Sequence, residues 1–303
     1  MNFSSPLIWD AFAIGTYFVA SVLFWFLGLI PDFGVLRDRA TGWRRAIFGR
    51  LAAGWRGTSE EWRDFRSAYT LLAGLITALV VSVHSIVSWD FAVAIVPGWH
   101  STIFAPYFVA GAIFSGLAMI VTLVVPGREL LGIRKYVTDD HLEHVAKLIV
   151  AVSLIVTYSY ASELFFAWYR GVPAEQRQFV FRATGAFAPL VWLAIVCNSI
   201  VPLALFRRAV RRNPVVLFAI SILINIGMWT ERFIIIAASL AHEYDSYSWS
   251  TYRPTLFEWT ILVGSAGWFL FWFLLLIGHI PSVPIAETKE HLLEAAVGKA
   301  ARS

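Results

Sequence analysis

Residues 68–95 read AYTLLAGLITALVVSVHSIVSWDFAVAI, without a Lys, Arg or Glu and with His84 and Asp90 as the imidazole and the acid among them. Coiled as an α-helix at about 1.5 Å per residue, the stretch is roughly 42 Å long and exceeds the ~30 Å hydrocarbon core of a bilayer. Lipid offers no partner to a bare backbone amide, so a crossing segment of this kind is helical. Six further stretches have the same character: 7–30, 102–125, 142–169, 183–206, 215–240 and 256–279. Pro31, Pro126 and Pro281 are expected to stop three helices, Pro214 and Pro254 to precede two, and Asp139 with Asp140 to cap another. The expected fold class is therefore an all-α integral membrane protein with seven transmembrane helices.

Composition agrees. Hydrophobic residues make up 58% of the 303, charged residues 15%, and mean hydropathy is +0.68. A soluble domain carries roughly 25% charged residues, so a soluble enzyme and a disordered chain are both excluded. A single cysteine, Cys197, excludes a disulfide framework, a cysteine-built zinc site and an iron–sulfur cluster held by this chain alone.

The net charge of +4 and pI near 9.3 are explained by where the cations sit. Of the 24 Lys and Arg, eight fall in 31–67, three in 126–141, four in 207–214 and three after 280; the alternate loops, 170–182 and 241–255, hold three and one. Cytoplasmic loops are the basic ones. The expected topology is N-terminus outside and C-terminus in the cytoplasm of a bacterial inner membrane, and the basic pI is topogenic rather than a sign of nucleic-acid binding. The first span lacks a basic n-region and a small-residue cleavage site, so it reads as a retained helix. With so few residues before that span, upstream helices are expected from elsewhere. The organisation read from the sequence is 1–125, outer-side site helices with a cytoplasmic loop at 31–67; 126–280, a second bundle; and 281–303, a cytoplasmic tail whose 286–301 portion is weakly amphipathic.

In the long loop, Trp43, Ile47, Leu51 and Trp55 recur every four residues among arginines. This fits a short helix in the membrane interface, with a loop packed under the bundle as the alternative. Trp89, Trp99, Trp168, Tyr169, Trp249 and Trp259 fall at outer helix ends, where an aromatic belt lies.

An ionisable side chain within a span costs on the order of 3 kcal/mol on insertion scales, so each needs a reason. They are Asp10, His84, Asp90, Glu163, Glu231, Arg232 and Glu258, with Glu143, His144 and Lys147 near an inner end. Asp10, His84 and Asp90 all fall in the outer half of two helices adjacent in sequence, where carboxylates and an imidazole can exchange protons with a ligand. Interfacial solvation of the acids and an interhelical hydrogen bond for His84 are the alternatives. Glu163 follows Tyr158-Ser159-Tyr160-Ala161-Ser162, a run that can carry protons through a bundle. Glu231 and Arg232 point about 100° apart on their helix, so each is expected to pair across helices, with Glu163 as a partner for Arg232; a structural ion pair is the competing reading. Asp139, Asp140, His141, Glu143, His144 and Lys147 cluster at one helix start, as a solvated cap or as the inner mouth of a proton path through Asp139 and His144.

The sequence holds no P-loop, His-Glu-x-x-His or Gly-x-Ser-x-Gly motif. His141 and His144 lack a further ligand at metal spacing, so no metal site is expected. The one geometrically allowed haem pair, His144 with His279, is weak.

The stretches Ser82-Val83-His84-Ser85-Ile86-Val87-Ser88-Trp89-Asp90-Phe91-Ala92, Gly98-Trp99-His100-Ser101-Thr102-Ile103-Phe104 and Pro106-Tyr107-Phe108-Val109-Ala110-Gly111-Ala112 resemble the NrfD/polysulphide-reductase membrane-subunit family. Ile8-Trp9-Asp10-Ala11-Phe12, Gly28-Leu29-Ile30-Pro31-Asp32, Tyr158 through Glu163 and Trp229-Thr230-Glu231-Arg232-Phe233 extend the resemblance along the chain, toward the C-subunit branch of bacterial alternative complex III. It implies two four-helix bundles, of which this chain would supply part, and about ten spans where seven are seen. It also implies a quinol site near the outer face beside a periplasmic iron–sulfur subunit, with a homologous NrfD-like membrane subunit and c-type cytochrome subunits as further partners. By position, Asp10, His84 and Asp90 would belong to that site.

The resulting expectation is a membrane subunit of a quinol-oxidising complex, not catalytic alone. Menaquinol or ubiquinol would be its substrate, with no cofactor held by the chain, and Tyr158, Glu163, Glu231, Arg232, Asp139 and His144 would form a proton path. A passive anchor of a redox complex and a proton-coupled secondary transporter are the alternatives; the transporter is weakened because Pro189 and Pro202 interrupt one span without a matching pair elsewhere.

Overall fold

A computed structural model describes residues 3–242, 244, 245, 247, 249–281, 283–285 and 288. The expected tail helix at 286–301 lies outside the described residues, save residue 288. The helices are α1 (Pro6–Arg39), α2 (Gly42–Leu51), α3 (Ser59–Ala92), α4 (Phe104–Leu130), α5 (Asp139–Arg170), α6 (Pro173–Thr184), α7 (Ala188–Phe206), α8 (Arg208–Arg211), α9 (Pro214–Ala238) and α10 (Leu256–His279). No strand occurs among the described residues. Helices α1, α3, α4, α5, α7, α9 and α10 are each long and apolar enough to cross a membrane, so the chain is a multi-pass membrane protein.

Two prolines expected to stop helices do not. Pro31 lies inside α1 and Pro126 inside α4. A proline removes one intrahelical bond but keeps φ helical, and packing beyond it decides whether the helix continues. Beyond Pro31, Asp32, Phe33 and Gly34 are buried. Beyond Pro126, Arg128 is buried, donates to the Val137 carbonyl at 3.2 Å and pairs with Asp139 at 2.8 Å. The long loop is correspondingly short: α1 runs to Arg39, α2 fills 42–51 and α3 starts at Ser59. The outer segment expected as loop at 170–182 is largely α6, opened by Pro173 at its first turn.

The chain divides into two compact units. One comprises residues 14–80 and 254–303. Its core is Leu29, Phe33 and Ala52, with Phe48, Leu51 and Trp55 against them. Trp43 and Ile47 of α2 are exposed, whereas Leu51 and Trp55 turn inward, because α2 ends at Leu51 and Arg37 holds the Trp55 carbonyl at 2.7 Å. The four-residue stripe is therefore an outward face only for its first half. Glu258 has a local explanation: Thr255 and Glu258 form a reciprocal capping box that starts α10.

The other unit comprises residues 1–13 and 81–253. In it α4, assigned by the sequence to the first block, packs on α5 and α9. Buried positions recur at alternating steps of three and four: Phe104, Tyr107, Gly111, Phe114, Ala118 and Val121 on α4; Leu142, Ala146, Ile149, Ser153 and Val156 on α5; Leu217, Ile220, Ile224, Gly227 and Glu231 on α9. This is the seam of a left-handed helical bundle. Helix α7 starts as α-helix (Ala188–Ile195), widens to a π-turn (Val196–Ile200) and tightens to 3₁₀ (Val201–Phe206); α9 ends in a second π-turn (Ile234–Ala238).

Candidate functional site

The α5 seam, continued past Val156 at the same steps, arrives at Tyr160 and Glu163. The α9 seam arrives at Glu231. Both run from an apolar core into a polar centre at one end of the bundle. Tyr160 donates its hydroxyl to Glu231 Oε2, and Asn198 of the α7 π-turn donates Nδ2 to both Tyr160 Oη (2.9 Å) and Glu231 Oε2 (3.2 Å). Asn198 is wholly buried and Glu231 nearly so. A π-turn swings its side chains out of α-helical register, which lets α7 aim Asn198, and Ser199 toward Thr157 at 2.9 Å, at neighbouring helices.

Glu231 and Arg232 do pair, at 3.4 Å, contrary to the expectation drawn from their 100° offset. Long side chains bridge that offset when the guanidinium is held elsewhere, and Arg232 lies over the Phe108 ring at 3.9 Å and the Tyr107 ring at 5.4 Å. Gly111 makes this possible: a Cβ there would stand 2.6 Å from Arg232 Nη2. Glu163 pairs not with Arg232 but with Arg182 of α6 at 3.5 Å. The sequence placed Arg182 in a solvated loop, but α6 presents it inward, buried, with Nη2 on Ser239 Oγ at 2.5 Å.

The second π-turn frees carbonyls, and side chains from the capping layer take them. Trp99 donates Nε1 to the Ile235 carbonyl at 2.6 Å, and Gln178 of α6 donates to that of Ala238 at 3.0 Å. Trp99 is thereby buried in the unit's core rather than part of an aromatic belt, while Trp89, Trp168, Tyr169, Trp249 and Trp259 are exposed. Tyr158 is also exposed, at 67%, two residues off the seam, and takes no part in the polar centre; Tyr160 does.

A cavity of about 390 Å³ adjoins this centre. Leu164, Val191, Trp192, Ile195 and Ile234 supply apolar wall, and Tyr160, Glu163, Arg182 and Glu231 the polar groups.

At the opposite end of α5, Asp139 pairs with buried Arg128. Glu143 is buried and accepts from Arg212 Nε at 2.7 Å, with Lys147, Arg208 and Arg211 within 3.8 Å; Arg212 also reaches Asp140 at 2.9 Å. The helix start is thus an ion-paired cap rather than a solvated one. His144 is exposed, and His141 Nδ1 lies 2.9 Å from Thr138 Oγ1. Between the two ends, Thr122 Oγ1 lies 2.9 Å from Ser221 Oγ and accepts from Asn225 at 2.9 Å, a half-buried polar rung joining α4 to α9.

Asp10 of α1 and Asp90 of α3 lie close enough to interact electrostatically. Each has a buried Oδ1 without a hydrogen-bond partner among the described residues. His84 is half-buried on α3, about 9 Å below Asp90 along the axis and about 120° around it. The structure therefore brings the two acids within electrostatic range of each other and sets the imidazole about one and two-thirds turns from Asp90.

Residues 1–242 match the protein family described as "Polysulphide reductase, NrfD". A Halobacterium salinarum protein, a putative membrane subunit of dimethyl sulfoxide reductase, is 29% identical over 239 residues, covering 76% of this chain and 50% of that protein. The chain spans about half the length of that curated relative.

Proposed function

We propose, from the premise that this chain belongs to the polysulphide-reductase NrfD family, that it is the quinol-facing membrane subunit of an electron-transfer complex. The observation that carries the reading is the electrostatic proximity of Asp10 and Asp90, each with a buried carboxylate oxygen that has no hydrogen-bond partner among the described residues. Buried polar atoms are nearly always partnered, so two orphans at one place fit the hydroxyls of a bound ligand. Quinol oxidation releases two protons and two electrons. Asp10, Asp90 and His84 accept protons here. One cysteine cannot ligate a cluster, so the electrons leave through a partner.

The relative named for dimethyl sulfoxide reductase supports a redox complex. The resemblance of the motifs around His84 and Asp90 to the C-subunit branch of alternative complex III supports a periplasmic iron–sulfur partner, a second NrfD-like membrane subunit and c-type cytochromes. It also supports menaquinol or ubiquinol as substrate, with the N-terminus outside a bacterial inner membrane. Polar groups spaced along the bundle extend the reading to proton movement: Asp139 and the exposed His144 at one end, the Thr122–Ser221–Asn225 rung, then Tyr160, Glu231 and Glu163. Tyr160 stands in this path where the sequence pointed to Tyr158.

Quinol oxidation by the assembled complex tests the site. Asp90→Asn and His84→Ala are each expected to lower the rate by about 10²-fold or more, the scale of a lost general base. Full rates in both variants would remove Asp90 and His84 from the reaction.

A further inference from the structure

The cavity beside Tyr160 has features that a proton path does not require. A path for protons needs a file of polar groups, not some 390 Å³ of largely apolar space. That volume lies within the range of about 300–1,000 Å³ typical of small-molecule sites. Its walls come from α4, through Tyr107, and from α5, α6, α7 and α9, all within one unit. Two of its lining residues, Leu164 of α5 and Trp192 of α7, are also exposed, at 49% and 54%, on helices long and apolar enough to cross a membrane. The mouth therefore opens between α5 and α7 toward lipid, and an occupant arrives from the bilayer.

The polar end specifies the occupant's chemistry. Two ion pairs, Glu163–Arg182 and Glu231–Arg232, balance each other there, so a charged head-group would meet a like charge whichever sign it carried. An anionic phospholipid head would lie against the carboxylates of Glu163 and Glu231. A neutral head with ring oxygens meets no such penalty. Arg182 Nε, on a buried side chain lining the cavity, has no hydrogen-bond partner among the described residues and can donate to a carbonyl or hydroxyl oxygen. Glu231 Oε1 likewise has no hydrogen-bond donor among them, beyond its ionic contact with Arg232, and can accept from a hydroxyl. Both π-turns border the space, through Ser199 of one and Ile234 and Ile235 of the other, and π-turns inside helices concentrate at functional sites.

We propose that this cavity is a second binding site for a lipid-borne quinone or quinol, separate from the Asp10–Asp90 centre. The head-group lies between Arg182 and Glu231, and the prenyl tail leaves past Leu164 and Trp192. Only the identity of the ligand rests on the quinol reading above; the cavity, its mouth and its charge balance do not.

Photolabelling of the assembled complex in native membranes with a prenyl-tailed azido-naphthoquinone tests the proposal, with peptides mapped by mass spectrometry. Label is expected on residues 157–164 or 191–199, displaced by unlabelled menaquinone. Ala161→Trp at the mouth should cut that label at least about tenfold, the equivalent of about 1.4 kcal/mol of binding, while label on the α3 peptide around 84–90 serves as the internal reference. Ala183→Leu, from α6, provides the same block if the first variant fails to assemble. No label on these segments, label indifferent to both substitutions, or label displaced by phosphatidylglycerol but not by menaquinone would overturn the proposal. Loss of α3 label alone would count against the Asp10–Asp90 site and leave this one standing.

Discussion

The imidazole of His242 lies between the rings of Phe181, at 3.3 Å between centroids, and Trp249, at 4.6 Å. Burial holds its pKa below the ordinary histidine range, partly offset by a backbone hydrogen bond to Ala241. Among the described residues, those that share a small cavity with it are Ala174, Arg177, Gln178, Tyr244 and Trp249, none of them a carboxylate. The unfolded chain thus binds the proton first, and stability falls as the pH drops below about 6.5. Thermal midpoints of the purified protein measured from pH 8 to pH 5 should decline, and the decline should shrink in His242→Phe, which keeps a stacked ring without a titratable nitrogen. Equal slopes in both would remove His242 as the cause. Other residues show how far single positions were legible. Glu163, Glu231 and Arg232 stood out because ionisable groups in lipid need partners, but the partners themselves did not: Arg182 looked like a loop residue, and Asn198, neutral, raised no alarm. Tyr160 was readable in principle. Counting the α5 seam forward from Leu142 in steps of four and three lands on 160 and not on 158.

At the scale of elements, hydropathy marked all seven spans, because a membrane helix advertises itself through length and apolarity alone. Helix ends were less legible, since proline was weighed without the tertiary packing that carries α1 and α4 past Pro31 and Pro126. The π-turns were invisible, because their register is set by contacts between helices. One of those contacts is testable. Gly227 of α9 faces the α7 π-turn so closely that an added Cβ would stand 2.6 Å from Cys197 Cβ and run into Asn198 Oδ1. Gly116 of α4 has nothing within 4 Å of the same position. Gly227→Ala is therefore expected to destabilise the protein by about 1–3 kcal/mol through overpacking. Gly116→Ala should be neutral or stabilising by up to about 1 kcal/mol, as alanine is the better helix former. Thermal unfolding of the two variants side by side decides it; a Gly227→Ala protein as stable as wild type would mean α7 and α9 are not locked at the π-turn.

For the whole molecule, the distribution of cations supplies an orientation that geometry alone does not. Helices α4 and α5 are joined by a short turn carrying Arg134 and Lys135, next to Arg128 in the last turn of α4, and α5 and α6 by Gly171 and Val172, so the two turns lie at opposite ends of α5. The positive-inside rule assigns the first to the cytoplasm and the second to the outside. The first turn is also structurally committed to its charges: Arg128 is buried on Asp139, and Glu143 gathers arginines from the α7–α9 connection. The cations that the rule reads as topogenic thus also form ion pairs between α4 and α5 and between α5 and the α7–α9 connection at this end of the bundle. The chain's sole cysteine is buried, so background thiol reactivity is low. In intact spheroplasts, a membrane-impermeant maleimide should label Val172→Cys, at an exposed position between α5 and α6, and should label Lys135→Cys only after the membrane is opened. The reverse pattern would invert the topology and would place the Asp10–Asp90 pair on the cytoplasmic side, away from any periplasmic electron acceptor.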